Sequence, residues 1–140
     1  MLQKNSKVLS IIIPVFNEVN FIHELFAQLK FHFNKENIEI IVVDDGSRDG
    51  SSNVLKQIKQ KGDYKFLFKI IKLDINSGKG KALQTGIQNS DGEYILFQDA
   101  DLELDTKDAK EMYDMIVVNK DIKCIFGSRY LSGKLKKNNY

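Results

Sequence analysis

The sequence has only one cysteine and one proline, and neither sign of charge is in large excess. Cys124 has no partner for an internal disulfide and cannot by itself build a cysteine metal site. Because it lies in an apolar run, we expect a buried, unreactive thiol. One proline and nine glycines exclude proline-rich and collagen-like chains. A net charge of +2 excludes the strongly basic character of a nucleic-acid-binding domain and a self-repelling acidic tail.

Long hydrophobic runs are also absent. The longest, Val8–Phe16, is about half the length of a membrane-spanning helix. It is followed by Asn17-Glu18 rather than by the small residues of a signal-peptide cleavage site. With 140 residues, 42% hydrophobic and 29% charged, the composition is that of a globular chain with one packed core. We therefore expect a soluble, cytoplasmic chain.

Short β-rich runs alternate with helical segments. The β-rich runs are Val8–Val15, Ile38–Asp44, Tyr64–Leu73, Tyr94–Gln98 and Lys123–Phe126, and the helical segments are Asn20–Phe33, Ser51–Lys61, Lys79–Gln88 and Thr106–Asn119. Ser77 is available to cap the third helix, and Asp105 or Thr106 the fourth. The alternation predicts an α/β fold of repeated βαβ units, with a mainly parallel sheet of about five strands and helices on both faces.

Polar residues and glycines gather directly after the predicted strands. The segments are Pro14-Val15-Phe16-Asn17-Glu18, Asp44-Asp45-Gly46-Ser47, Asn76-Ser77-Gly78-Lys79-Gly80-Lys81, Asp99-Ala100-Asp101-Leu102-Glu103 and Gly127-Ser128-Arg129. The turns at the opposite edge, including Asp91-Gly92, look like plain connectors. Because parallel sheets bind ligands beyond the carboxyl ends of their strands, the sequence predicts one functional rim.

The most informative of these segments contains Asp99 and Asp101. Two carboxylates so spaced at a strand end can share a divalent cation, or divide between a metal and a ribose hydroxyl, and Glu103 could join them. Oxygen ligands suit Mg²⁺ or Mn²⁺. An isolated pair of this kind is more often a solvated acidic turn, but the apolar strand before it and the other strand-end motifs favour metal binding here.

The remaining motifs are weaker when taken singly. Asp45 can accept an N–H of a nucleobase, and a calcium loop starting there fails because Lys56 stands where a glutamate is needed. Gly78-Lys79-Gly80-Lys81 offers N–H groups and cations to a phosphate, or is simply a solvated basic helix start. Arg129 can hold a phosphate through two hydrogen bonds, although a surface salt bridge is the default.

Taken in order, the motifs resemble those of family 2 glycosyltransferases with the GT-A fold. They are Ile13–Glu18, Val43–Ser47, Asn76–Leu83, Gln98–Glu103 and Gly127-Ser128-Arg129-Tyr130. The D-A-D-L-E and G-S-R-Y elements are most similar to the polyprenyl-phosphate (dolichyl-phosphate-type) sugar synthases. The resemblance runs from about Val8 to Leu131.

The resemblance implies a metal-assisted, inverting transfer of a sugar from a UDP- or GDP-sugar to an acceptor such as a polyprenyl phosphate, in cell-envelope glycan synthesis. It implies Asp99 and Asp101 as the catalytic metal-binding pair for Mg²⁺ or Mn²⁺, with Glu103 at the metal where relatives often have Gln. Asp99 would also contact the donor. The other donor-binding residues implied are Pro14, Phe16, Glu18, Asp45, Lys79 and Arg129.

Catalytic domains of this family are usually longer. We therefore expect residues 1–140 to be a single GT-A domain, truncated at its acceptor-binding part and with a frayed tail at 133–140. A second copy or a missing C-terminal region would supply the rest, and the protein could be peripheral at the inner face of the membrane.

Three alternatives remain open on the sequence. The first is a non-catalytic nucleotide-sugar-binding fragment of the same fold. The second is a haloacid-dehalogenase-type phosphotransferase, whose nucleophile motif resembles Ile95–Asp101 but normally ends the first strand. The third is a receiver-like signalling module, which normally has an acidic pair where this chain has Asn17-Glu18.

Overall fold

The computed structural model describes residues 8–128, which form four strands and four helices in strict alternation. The elements are β1 (Leu9–Val15), α1 (Ile22–Phe33), β2 (Ile38–Asp44), α2 (Ser51–Lys61), β3 (Leu67–Lys72), α3 (Lys79–Gln88), β4 (Tyr94–Phe97) and α4 (Thr106–Val118). The strands pair in the order β3-β2-β1-β4, and every pairing is parallel. The predicted α/β class with a parallel sheet is confirmed.

The two central strands are apolar because both of their faces are covered. Side chains of β1 and β2 such as Ile11 and Ile40 pack with α1, α2 and α4 on one face. On the other face, Ile41 and Val43 pack with Ala82 of α3. Helix α3 lies so close to β1 that a Cβ built on Gly86 would be 2.4 Å from a methyl group of Ile12. The sheet therefore lies between α3 on one face and α1, α2 and α4 on the other.

The edge of the sheet opposite the predicted rim is fixed by a buried glutamate. Glu39 of β2 is 0% exposed. Its Oε1 accepts hydrogen bonds from Ser10 Oγ (2.5 Å) and the Asp91 N–H (2.6 Å), and its Oε2 lies 2.8 Å from Lys69 Nζ. Burial alone raises the pKa of Glu39, but the hydrogen bonds from Asp91, Lys69 and Ser10 and the Lys69 charge together hold it below its usual value. Asp91-Gly92 is thus a connector that hydrogen bonds hold in place.

Two predictions fail after α4. The run Lys123–Phe126 forms no strand, and Phe126 is 87% exposed. An apolar run becomes a strand only where another strand offers its edge, and within residues 8–128 this run pairs with none. Cys124 is exposed rather than buried for the same reason. Arg129 and the predicted tail at 133–140 lie outside the described residues.

The helix caps show how a tertiary contact overrides local preference. Asp105 caps α4 as predicted, since its Oδ1 accepts the Lys107 N–H at 2.8 Å. Ser77 does not cap α3. The cap residue is Gly78, at φ 92°, while the Ser77 hydroxyl donates to the Ile75 carbonyl at 3.1 Å.

Within residues 8–128, no helix combines the length and the apolar character needed to cross a membrane.

Candidate functional site

The strand order places a cleft at the point where the chain reverses direction across the sheet. From β1 the chain adds β2 and β3 on one side, and β4 then returns to the other side of β1. At such a point the loops after neighbouring strands diverge and leave a crevice. A cleft of about 420 Å³ lies there, at the carboxyl ends of β1 and β4.

The cleft brings together residues from four separate strand-end segments. Seven of the residues implied by the resemblance line it: Pro14, Phe16, Glu18, Asp45, Lys79, Asp99 and Asp101. Glu103 is exposed and is not among the lining residues. A larger groove of about 580 Å³, between α1 and α2, contains none of these residues.

The loop after β1 is held in place by the loop after β2. Asn17, whose φ of 55° is left-handed, donates its N–H to Ser47 Oγ at 2.9 Å, and its Oδ1 accepts the Arg48 N–H at 2.9 Å. The Glu18 N–H donates to Ser51 Oγ at 3.0 Å. These contacts fix the backbone that carries Glu18. Sequence reasoning missed Ser47 and Ser51, because serines after a strand are ordinary turn residues.

The adjacent aspartates at the end of β2 have different roles. Asp44 is fully buried and serves the fold, since its carboxylate accepts hydrogen bonds from the Ser47 N–H (2.9 Å) and from the Ser52 hydroxyl. Asp45 lines the cleft. Only the second acid therefore belongs to the candidate site.

Asp45 also positions the segment that precedes α3. It is 3% exposed, and its two oxygens accept the N–H groups of Ser77 (2.7 Å) and Gly78 (2.8 Å). Gly46 allows this approach, because at its φ of 76° a Cβ would lie 2.8 Å from the Asn76 nitrogen. The carboxylate thus anchors the segment that leads into α3, and no side chain of the cap residue caps this helix. Each oxygen keeps a further lone pair for a ligand.

Lys79, the first residue of α3, reaches across the cleft to Asp99. Its Nζ lies 2.6 Å from Asp99 Oδ1. The Lys79 side chain is 60% exposed and the Asp99 side chain 27% exposed, so the pair lies at the open side of the cleft. The sequence placed both residues near the donor but did not predict that they form an ion pair.

The loop after β4 is shaped by buried and strained residues. Gln98 is 1% exposed, and its Nε2 donates to the Leu104 carbonyl at 3.0 Å, which closes the loop on itself. Leu102 takes a left-handed φ of 63°. The Glu103 N–H donates to Asp101 Oδ1 at 3.1 Å. This turn keeps the Asp101 carboxylate beside Asp99 in the cleft lining.

Negative charge accumulates in the cleft. The pKa of Glu18 is raised above its usual value, first by burial and then by the charges of Asp101, Asp49 and Asp99. Bringing further negative charge, such as a diphosphate, into this environment needs a compensating cation.

The donor set fits a hard divalent cation. Asp99 and Asp101 offer carboxylate oxygens, which Mg²⁺ and Mn²⁺ prefer. Within residues 8–128, no group of three or more acidic, histidine or cysteine side chains is gathered closely enough to hold a metal ion. Two carboxylates nevertheless suffice for Mg²⁺, which usually completes its shell with water and substrate phosphates. Glu103 as a third ligand stays a prediction.

Comparisons with curated proteins find relatives among polyprenyl-phosphate sugar transferases. The undecaprenyl-phosphate 4-deoxy-4-formamido-L-arabinose transferase of Pseudomonas syringae pv. syringae is 34% identical over 99 residues, which are 69% of this chain and 29% of that protein. The dolichyl-phosphate beta-glucosyltransferase of Dictyostelium discoideum is 32% identical over 135 residues, which are 86% of this chain and 39% of that protein. The chain thus spans about a third of the length of these relatives.

Solved structures share the fold. TarS of S. aureus, residues 1–349 in complex with UDP, superposes with a TM-score of 0.68 and 27% identity, over 81% of this chain and 33% of that one. The mannosyltransferase PcManGT of Pyrobaculum calidifontis, in complex with GDP-Man and Mn²⁺, gives a TM-score of 0.62 over 66% of this chain and 27% of that one. Its identity of 24% supports the fold alone.

The family model described as "Glycosyl transferase family 2" matches residues 10–139. This match covers nearly the whole chain and includes every strand-end segment that lines the cleft. The predicted resemblance is thereby confirmed, and the chain belongs to the family 2 glycosyltransferases.

Proposed function

We propose that the chain is the donor-binding part of an inverting glycosyltransferase, and that its cleft binds a UDP- or GDP-sugar. One observation carries the proposal: seven side chains from four strand-end segments, distant in sequence, line a single cleft. The relatives named for sugar transfer to polyprenyl phosphates support the same reaction class. TarS, solved with UDP, supports a nucleoside diphosphate as the ligand.

The nucleoside lies against Pro14, Phe16, Glu18 and Asp45 in this proposal. The Phe16 ring is 42% exposed at the cleft, so it offers an apolar face on which a base can stack. Asp45 is held rigidly by two backbone N–H groups. Its remaining lone pairs accept a base N–H or a ribose hydroxyl, and the choice between uracil and guanine depends on this contact.

The diphosphate lies near Asp99 and Asp101 in this proposal, and these two carboxylates would hold Mg²⁺ or Mn²⁺. When bound, the cation supplies Lewis-acid stabilisation of the charge that develops on the departing nucleoside diphosphate. Lys79 adds a second positive charge at the same place. Arg129, outside the described residues, is proposed to contact a phosphate of donor or acceptor.

The acceptor is proposed to be a polyprenyl phosphate, as the names of the relatives indicate. A phosphate acceptor is already anionic near neutral pH, so the reaction needs no strong general base. This agrees with a cleft whose carboxylates are assigned to donor and metal. The protein then works at the inner face of a membrane, where such lipids are accessible.

Non-catalytic binding of a nucleotide-sugar by the same cleft is the second candidate, because the cleft residues are assigned to the donor and the metal and none to an acceptor. Both candidates require donor binding, and only the first predicts release of nucleoside diphosphate when a polyprenyl phosphate is added. No observation favours a phosphotransferase or a receiver module.

Calorimetric titration with UDP, GDP and their sugars, with and without Mn²⁺, tests the proposal. We expect one nucleotide to bind, and Mn²⁺ to strengthen its binding. Asp101→Ala should abolish this strengthening and leave the unfolding transition intact. Asp121→Ala, which removes an exposed carboxylate outside the cleft lining, is the matched control. Undiminished Mn²⁺-assisted binding by the Asp101 variant would rule out the metal assignment.

A further inference from the structure

We infer that Lys79 is an internal counter-ion that holds Asp99 while the cleft is empty and transfers to the diphosphate when the donor binds. Metal and donor binding are therefore coupled through one lysine. The inference rests on the proposed function, because it assigns Lys79 a role in that same site. Lys79 acts here as a positioning residue for Asp99 and as a ligand of the donor.

The contact between the two side chains is close and depends on the fold. Lys79 Nζ lies 2.6 Å from Asp99 Oδ1. Twenty positions separate the two residues in the sequence, so the ion pair exists only because α3 begins beside the end of β4. Both side chains line the cleft.

The surroundings of Lys79 make Asp99 its natural partner. A cation is disfavoured at a helix N-terminus by the helix dipole. Helix α3 has no acidic residue in its first turn to offset this effect. The Lys79 side chain is 60% exposed. It therefore has open space in which to change partner.

The ion pair lowers the affinity of the cleft for a metal ion in the absence of nucleotide. An ammonium group at 2.6 Å occupies one lone pair of Asp99 Oδ1 and repels a second cation. A diphosphate changes this balance, because its oxygens are stronger attractors for the ammonium than a single shared carboxylate. The donor thus draws Lys79 away and frees Asp99 at the same time. Metal ion and nucleotide then bind with positive coupling, which must be reciprocal.

Three variants of the 140-residue chain test this inference. Lys79→Met removes the charge and keeps an unbranched side chain. Lys79→Arg keeps the charge, and Lys81→Met removes an exposed lysine that is not among the cleft-lining residues. Mn²⁺ binding is measured without nucleotide by electron paramagnetic resonance of free Mn²⁺. UDP and GDP binding, each with Mn²⁺, is measured by calorimetry.

For Lys79→Met we expect opposite changes in the two affinities. Mn²⁺ alone should bind about fivefold more tightly, the size expected on removing a competing exposed ion pair. The nucleotide, with Mn²⁺ present, should bind about tenfold more weakly, because a charge-assisted hydrogen bond to phosphate is lost. Lys79→Arg and Lys81→Met should keep the wild-type Mn²⁺ affinity.

Other outcomes distinguish a failure of the proposed function from a failure of the role inferred for Lys79. If the wild-type chain binds neither Mn²⁺ nor a nucleotide, the proposed function fails, and this inference with it. If the wild type binds both, and Lys79→Met leaves the affinity for Mn²⁺ alone unchanged or reduces it, the inference is overturned while the proposed function stands. A uniform loss of both affinities would mean that Lys79 serves only the structure of the cleft, a role that cannot make one affinity rise.

Discussion

Replacing Asp45 with asparagine tests the structural role of this side chain, and donor binding by the same variant tests the role proposed for it in the cleft. The buried carboxylate accepts one N–H with each oxygen, from Ser77 at 2.7 Å and from Gly78 at 2.8 Å. Asparagine has nearly the same size and shape but only one acceptor oxygen. Its amide NH₂ must therefore face one of the two backbone N–H groups, and that group loses its partner.

The expected loss in the free energy of unfolding follows from these two hydrogen bonds. Two hydrogen bonds to a charged acceptor, at about 1.5–3 kcal/mol each, are replaced by one neutral bond of about 1 kcal/mol. The difference is about 2–5 kcal/mol. Because Gly78 lies at the start of an open segment that can move toward water, we expect the lower end, about 2–3 kcal/mol of the free energy of unfolding. The variant should still fold, since domains of this size have about 5–15 kcal/mol in total.

Urea denaturation of wild type and Asp45→Asn measures this loss, and nucleotide titration of the same samples measures donor binding. Ser77→Ala is the matched control, because it changes the neighbouring side chain and leaves the N–H that Asp45 accepts. We expect a much smaller loss there. A change below about 0.5 kcal/mol for Asp45→Asn, within the range of ordinary surface substitutions, would refute the structural role.

Two further predictions concern the sheet. Gly86→Ala should destabilise the fold by about 1–3 kcal/mol in denaturant titrations, because the new Cβ would lie 2.4 Å from an Ile12 methyl; a gain of about 1 kcal/mol, as helix propensity alone predicts, would contradict this. Glu39→Gln removes the charge that faces Lys69, and should cost about 3 kcal/mol at pH 7. The folded-state pKa of Glu39 is lowered, so its contribution is fully present above the unfolded value and is lost as the pH falls through the folded one. Unfolding curves from pH 7 to pH 3 should show the wild type converging on the variant, and a constant gap would refute the assignment.

Local pattern was enough to predict the sheet and the rim. The aliphatic run Ile38–Asp44 was predicted as a strand, and Ser51–Lys61, with its spaced apolar residues, as a helix. Both elements have the same bounds in the structure. Burial on both faces of a strand leaves a strong local signal. The segments that line the cleft were found because parallel strands bring their carboxyl ends to one edge. The individual residues within them came from the resemblance to family 2 glycosyltransferases.

The contacts that connect distant segments could not be predicted in this way. Asp45 reaches Ser77 across 32 positions, and Lys79 reaches Asp99 through the placement of α3 beside β4. Such pairs depend on register and helix placement, which single-sequence periodicity does not encode. Glu39 was missed for the same reason, because its partners come from β1, β3 and a turn 52 positions away. The fifth run failed because a strand requires a partner as well as an apolar sequence.

The shortest strand has a consequence for how the cleft comes apart when the fold is weakened. β4 has four residues and, among residues 8–128, pairs with β1 alone, through contacts such as Leu9↔Tyr94 that close a very long loop. Within the described sheet it is the edge with the fewest bonds to break, and it carries the loop with Asp99 and Asp101. Partial opening at this edge would release the loop with Asp99 and Asp101 while β1, β2 and β3 remained paired. In mild denaturant, nucleotide binding should therefore disappear before the circular dichroism of the sheet and helices changes.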